Sequence, residues 1–381
     1  MTHIAIPPEA ILADLVAIPD LPGQSNARMA ACVQEHMARF GVECAAIAGP
    51  EGDRVNLFAT IGPRDVPGYI LSGHMDVVPV EGQVWQTDPF HLCEQDGRLY
   101  GRGATDMKGF LACMIAMVPA FQAMELKRPI HLAFSYDEEI GCRGVGHMIN
   151  ALPTLCTAPL GCIVGEPSDM RPVLSHKGKH AVELLIEGRA AHSSQPELGL
   201  NAIYAAAELM LFIRDLSARL AKDGRFDARF SPPSSTVVAG VVRGGTAVNI
   251  IPDRCALQME VRSVPGQSPQ TITAEVLTRL AQLVDEGKAL SVSHGDLSSY
   301  PALPPPDDRA LADLIERTSG QPALQSVSYG TEAGLFHAAG VPSIICGPGS
   351  ITRAHRPDEY VTREELAACC AMLRRLGEEI S

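Results

Sequence analysis

The chain is 381 residues long, a length that at roughly 100–200 residues per domain calls for two domains or three. With 46% hydrophobic and 20% charged residues it falls among ordinary globular chains, which excludes global disorder. Its formal charge of −13, from 31 Lys+Arg against 44 Asp+Glu and with no basic stripe, argues against a nucleic-acid partner.

The longest apolar stretch, Phe110 to Phe121, contains Pro119 and falls well short of the ~20 residues that span a bilayer, so no membrane partner is expected. Met1-Thr2-His3-Ile4 lacks a basic segment leading into a long apolar run, so no signal peptide is expected. Eleven cysteines form no Cys-x-x-Cys pair, which fits a cytoplasmic chain with reduced, buried thiols.

Strand-length apolar runs occur at Arg54–Ile61, Gly68–Leu71, Ile130–Ser135 and Leu160–Val164, with a buried helix expected over Gly109–Met124. This alternation predicts an α/β domain with a mostly parallel sheet flanked by helices. From about His180 the order changes to strand Ala181–Ile186, helix Asn201–Leu216, strands Thr236–Val242 and Cys255–Arg262, helix Gln270–Asp285 and strand Ala289–Val292. That βαββαβ order is ferredoxin-like. Beyond Pro301–Pro306, a strand at Ser343–Cys346 and a helix at Arg363–Glu378 return to the α/β pattern. The expected domains are therefore 1–178 with 296–381, and an inserted unit at 179–295.

Acidic and histidine residues favour the ends of the predicted strands. His74 and Asp76 follow the second run, Glu138 and Glu139 the third, Glu166 the fourth, and His355 the strand at Ser343–Cys346. Asp106 ends the glycine-rich loop Gly101-Arg102-Gly103-Ala104-Thr105-Asp106. Parallel sheets bind ligands outside the carboxyl ends of their strands, so these groups converge on one rim. Such a set without cysteine suits Zn²⁺, Co²⁺ or Mn²⁺ in a catalytic site. Taken singly each has a plainer reading: Glu138-Glu139 as a charged turn, Asp76 as a helix cap. Other chemistries lack their motifs: there is no His-Glu-x-x-His, no Gly-x-Ser-x-Gly and no phosphate-binding Gly-x-x-x-x-Gly-Lys-Ser/Thr loop.

Four ordered blocks resemble the dinuclear-zinc amidohydrolases and exopeptidases: Gly73–Pro79, Gly101-Arg102-Gly103 with Asp106–Gly109, Asp137-Glu138-Glu139 with Gly141, and Gly165–Ser168. The resemblance covers nearly the whole chain and implies two divalent metal ions, Zn²⁺ or Co²⁺ with Mn²⁺ admitted. It implies that Asp106 bridges them, with His74 and Glu166 on one ion and Glu139 and His355 on the other. Asp76 would hold His74 by its second ring nitrogen. The peptide after the bridging aspartate is typically cis in the family, so Asp106–Met107 is expected to be cis.

The resemblance also makes Glu138 the general base of amide hydrolysis, taking a proton from water acidified by the metals and passing it to the leaving amine. His192, in Gly188–Ser194, matches a histidine of the inserted lid domain that reaches the partner's site in dimeric members, so a homodimer is implied. Asn249 and Arg262 match substrate-contacting lid positions, and a guanidinium gives a bidentate clamp on a carboxylate. Glu166, where aminopeptidase branches tend to carry Asp, points to deacylases and carboxypeptidases.

Within the family the acetylornithine deacetylase branch is most similar, through Gly165–Ser168 with His176-Lys177-Gly178, Tyr329-Gly330-Thr331-Glu332-Ala333, and Gly347–Tyr360. Gly330 and Thr331 are implied substrate contacts. Leu335 stands where desuccinylases carry an arginine, which argues against a succinyl group. The expected substrate is a small N-acyl amino acid, N-acetyl-L-ornithine foremost, in arginine biosynthesis. Another N-acyl amino acid such as N-acetylcitrulline, or a dipeptide, is the alternative on the same site, and a non-catalytic metal-binding homologue is a further one. Glu332, Asp358 and Glu359 are candidates to meet the ornithine ammonium.

Overall fold

The computed structural model describes residues 6–381; Met1-Thr2-His3-Ile4, on which the expectation of no signal peptide rests, lies outside them. The chain divides into two compact units. One is the chain up to Ser175 with Pro305–Gln325 and Thr331–Ser381, and the other is His176–Pro304 with Ser326–Gly330. No described helix is long and apolar enough to cross a membrane.

The first unit opens with α1 (Pro8–Val16), α2 (Ala27–Arg39), β1 (Ala45–Ala48), β2 (Val55–Ile61), β3 (Tyr69–His74), β4 (Cys93–Gln95) and β5 (Arg98–Tyr100). It continues through α3 (Lys108–Ala116), α4 (Val118–Gln122), β6 (Ile130–Ser135), α5 (Val145–Leu155) and β7 (Gly161–Pro167). The second unit holds β8 (Gly178–Glu187), α6 (Ala202–Asp223), β9 (Thr236–Gly244), β10 (Arg254–Ser263), α7 (Pro269–Asp285) and β11 (Ser291–Tyr300). The chain then returns to the first unit as α8 (Ala310–Ser319), α9 (Ala333–Ala338), β12 (Ser343–Gly347), β13 (Tyr360–Thr362) and α10 (Arg363–Glu379).

The main sheet of the first unit runs β1-β2-β6-β3-β7-β12, with β6, β3, β7 and β12 parallel and β2 and β1 antiparallel. The mostly parallel α/β sheet expected from the sequence is therefore present. Its antiparallel flank follows from the short connection 62–68, which lets the chain reverse but is too brief for the dozen or more residues of a parallel crossover. Strands β6, β7 and β12 are buried at every position, as strands covered on both faces must be.

The single helix expected at Gly109–Met124 is instead two, α3 and α4, meeting at Met117. Pro119 is the reason: it has no N–H to give Ile115, and its ring clashes with a carbonyl one turn back. A small sheet, β13-β5-β4, was not legible in the sequence because its three-residue strands carry too little pattern.

The second unit folds in the order βαββαβ, with an antiparallel sheet β11-β8-β10-β9. Strand β10 alternates strictly, burying Cys255, Leu257, Met259 and Val261 in a core shared with apolar residues of α6 and α7. Helix α6 begins where predicted, because the Asn201 side chain accepts the N–H groups of Ile203 and Tyr204 at 3.0 and 3.2 Å. It continues past the expected Leu216 to Asp223, since Leu216 and Leu220 extend its buried stripe. Strand β11 reaches Tyr300 rather than ending at Val292; its polar, exposed residues have no strand signature, and pairing with β8 supplies the order.

Candidate metal centre

His74 ends β3, and Glu166 lies in the neighbouring strand β7. Glu138 and Glu139 follow β6, the other neighbour of β3. Asp106 stands just ahead of α3, and its peptide bond to Met107 is cis. His355 lies between β12 and β13 with φ 62°, in the left-handed region that favours glycine.

The Asp106 carboxylate stands between two imidazoles. Its Oδ1 is 3.2 Å from Nε2 of His74, and its Oδ2 is 3.2 Å from Nε2 of His355. Glu166 Oε1 lies 3.8 Å from the His74 nitrogen, and Glu139 Oε2 lies 3.0 Å from the His355 nitrogen. Each imidazole thus has a carboxylate of its own and shares Asp106. Ligand atoms of His74, Asp106 and Glu139 fall within 4.8 Å of one another, as do those of His74, Glu138 and Glu166. Glu138 is therefore close enough to be counted with the ligands.

Asp76 differs in detail from expectation. Nδ1 of His74 meets the main-chain oxygen of Asp76 at 2.9 Å, while the Asp76 carboxylate is 3.6 Å away. The two carboxylate oxygens instead accept the N–H groups of Glu138 and Glu139, both at 3.1 Å. The carbonyl thus holds the His74 proton on Nδ1 and leaves Nε2 for a cation, while the carboxylate pins the paired glutamates. Arg54 in turn holds Asp137, whose other oxygen accepts the Gly23 N–H at 2.8 Å.

Burial and mutual repulsion set the charges. Burial, with Glu332 and Asp76 nearby, pushes Glu138 up to about 7. Burial and the Asp106 charge push Glu139 up to about 8 and lift Glu166 well above the carboxylate range. Burial disfavours charge on His74, but its Asp106 hydrogen bond and the surrounding carboxylates raise it well above the usual imidazole value. Hydrogen bonds to Asp106 and Glu139 push His355 up to about 11. Protons are drawn in because five carboxylates crowd two imidazoles. Divalent cations would neutralise the same excess, and imidazole nitrogens with carboxylate oxygens are donors that suit Zn²⁺, Co²⁺ or Mn²⁺. The residues fit such ions.

Peptidase family M20/M25/M40 matches residues 70–379 of the chain. The chain belongs to this family. It is 33% identical over 375 residues to acetylornithine deacetylase of Myxococcus xanthus, covering 96% of this chain and 95% of that protein. Its fold is similar to an M20 family metallo-carboxypeptidase from Sulfolobus solfataricus, with TM-score 0.79 at 18% identity over 97% of this chain and 98% of that one. A dinuclear metal-binding M20 peptidase from Bacillus subtilis aligns with TM-score 0.68 at 16% identity, over 97% of this chain and 96% of that one. This M20 family member is a hydrolytic enzyme.

The other nominated residues of this M20 enzyme are divided between the two units. Thr331 is buried in the first unit, where its hydroxyl accepts the Ala333 N–H at 3.1 Å and starts α9. His192, Asn249, Arg262 and Gly330 belong to the second. Nδ1 of His192 accepts the Ser194 N–H at 3.1 Å, so the neutral ring carries its proton on Nε2 and can donate from there. Next to it, the Asn249 carbonyl accepts the Ser193 N–H at 3.0 Å. Arg262 is partly engaged already, with Nε 2.6 Å from Glu260 and Nη1 2.7 Å from the Tyr300 hydroxyl. A Cβ at Gly330 would lie 2.2 Å from the Tyr300 ring, so packing alone requires glycine there.

Two of the three acids considered for an ammonium, Glu359 and Glu332, are closed to one, while half-buried Asp358 has one oxygen engaged. Glu359 is bonded to Arg102, Asp358 accepts the Gln86 N–H at 2.9 Å, and Glu332 is sealed at 1% exposure beside Ser72 and Ser135. Sequence reading also passed over Cys142, whose thiol donates to Glu138 Oε1 at 3.1 Å, and over Arg102 and Gln83. The arginine of Gly101-Arg102-Gly103 was the available signal: a charge inside a glycine loop leading to a candidate ligand needs a partner.

Proposed function

We propose that the enzyme hydrolyses the amide of a small N-acyl amino acid, N-acetyl-L-ornithine foremost, in the cytoplasm and in the service of arginine biosynthesis. The observation that carries this reading is Asp106 placed between His74 and His355, each imidazole with its own glutamate. In it, Asp106 is the shared ligand, with His74 and Glu166 on one divalent ion and Glu139 and His355 on the other. Bound there, the ions would lower the pKa of water and polarise the amide carbonyl.

The chain's own residues do the rest. Glu138 accepts a proton from the attacking water and delivers it to the amide nitrogen as the C–N bond breaks, releasing the acyl group as a carboxylate and the amino acid as its amine. Asp76 holds the Glu138 amide and Cys142 its carboxylate, which orients that transfer. His192, protonated on Nε2, donates to the oxygen on which negative charge develops. Asn249 and Arg262 bind the substrate's free carboxylate, with Gly330 and Thr331 as further substrate contacts. For Arg262 this means exchanging Glu260 for substrate.

A homodimer is part of the proposal. Strand β9 is an edge strand, and Tyr204, Leu211, Val238, Val242 and Val248 of the second unit are exposed apolar side chains that a second copy would cover.

Similarity to the Myxococcus enzyme supports the acetyl and ornithine assignment, and half-buried Leu335 offers no charge for a succinyl carboxylate. One observation favours a second reading, a substrate with an uncharged side chain such as N-acetylcitrulline: Glu332 is sealed and Glu359 is bonded to Arg102, which leaves only half-buried Asp358 of the three acids. The deciding experiment is hydrolysis of N-acetylornithine, N-acetylcitrulline, N-acetylmethionine, N-succinyldiaminopimelate and a dipeptide by zinc- or cobalt-loaded protein, with a chelated control. A kcat/KM for N-acetylornithine at least about tenfold above the others, about 1.4 kcal/mol of discrimination, is expected. A better rate on another member moves the substrate; no chelator-sensitive hydrolysis of any of them removes the deacylase reading.

A further inference from the structure

We propose that Glu359, acting through Arg102 and Gln83, is a positioning residue that sets the spacing of Asp106 and His355; this rests on reading those two side chains as metal ligands. The circuit can be followed atom by atom. Glu359 Oε1 accepts the N–H groups of Thr105 at 2.9 Å and Asp106 at 3.0 Å. Its Oε2 accepts from Nη1 of Arg102 at 2.6 Å. Arg102 then reaches toward His355 by two routes. Nη1 donates to the main-chain oxygen of Arg356 at 3.3 Å, and Nη2 to Oε1 of Gln83 at 2.6 Å. Nε2 of Gln83 closes the circuit on the main-chain oxygen of His355 at 2.9 Å.

Stability does not account for this arrangement. Arg102 and Glu359 are each 1% exposed, and desolvating such a pair offsets most of its attraction. A carboxylate spending one oxygen on two adjacent amides of a ligand loop is better understood as fixing that loop. His355 at φ 62° and Asp358 at φ 55° place the second loop in a conformation that ordinary side chains disfavour. Such a loop needs ties from outside itself. Gln83 and Arg102 supply them, and Trp85 braces both, donating to Gln83 at 3.0 Å with its ring 5.1 Å from the Arg102 guanidinium.

The test is zinc binding by the full chain, in competition with a chromophoric chelator, with the melting temperature of the zinc-free protein read in parallel. Gln83→Leu cuts the tie to His355 at a half-buried position and leaves the Arg102–Glu359 pair intact. It should lower the melting temperature only by the cost of the acceptor that Arg102 Nη2 and Trp85 Nε1 lose, while binding one of two zinc ions about 10–100-fold more weakly, the usual cost of removing a ligand's outer partner. Glu359→Gln frees Asp106 and should weaken both ions. If that variant fails to fold, Gln83→Leu carries the test alone. Wild-type affinity for both ions in Gln83→Leu, or an equal loss at both, would make the network a structural brace and overturn the proposal. A wild-type chain that binds no zinc would remove the metal reading itself, and this inference with it.

Discussion

Strands β6 and β7 of the first unit are buried along their whole length, whereas in the second unit β9 and β11 have most of their positions exposed or half-buried. The difference comes from cover. Parallel strands with helices on both faces leave no side for water, so polar groups at their ends sit among buried neighbours and interact strongly. An antiparallel sheet with one solvated face buries every second residue of β10, and on the helix side of this unit Arg279 of α7 pairs with Glu286 at the surface. The same residue type therefore carries different weight in the two units. A glutamate following β6 is pushed up by burial, whereas Glu286 after α7 is drawn down by its hydrogen bonds to Arg279 and Lys288, a pairing that solvent screens.

The sharpest way to break this contrast is at Glu138. Glu138→Gln should lower kcat by about 10²–10⁴-fold with zinc content unchanged by elemental analysis; retained wild-type turnover would remove its role as base. Next is the apolar side of the second unit. Leu257→Ala, in the core beneath β10, should cost about 2–5 kcal/mol in urea unfolding, showing that this unit's stability lies in its covered face. A loss below about 0.5 kcal/mol would mean the face is loosely packed.

A smaller effect is expected at His131, on buried β6, which is pushed down to about 4 by desolvation and by Arg64. A histidine whose folded pKa lies below its unfolded value of about 6.5 is neutral in the native state. Its contribution is present above pH 6.5 and is lost as pH falls toward 4, up to about 3 kcal/mol. Melting curves across that window should show wild type losing more stability than His131→Leu; parallel curves would refute the burial argument. The smallest effect is expected at Glu286. Glu286→Ala, though it breaks contacts to Arg279 and Lys288, should shift the melting temperature by less than about 2 °C. A larger shift would show that this exposed cluster acts as a network.

The residues with local signatures were legible from the chain. Period-two burial in β10, the Asn201 cap of α6 and the acids following β3 and β6 are short-range patterns, and each corresponds to a feature of the fold. Pro119 splits a helix that composition alone makes continuous. Strand β11 and the sheet β13-β5-β4 were not legible, because their order comes from partners distant in sequence.

The same boundary runs through the site. Chain order and residue type nominated His74, Asp106, Glu139, Glu166 and His355, since hydrophobic period places strands and the turns after them are set locally. That Asp76 meets His74 through its carbonyl and the glutamate amides through its side chain, and that Glu359 turns inward to Arg102, were decided by packing. Those contacts join loops whose relative placement depends on the whole sheet, and buried charges take their partners only when that sheet has excluded water.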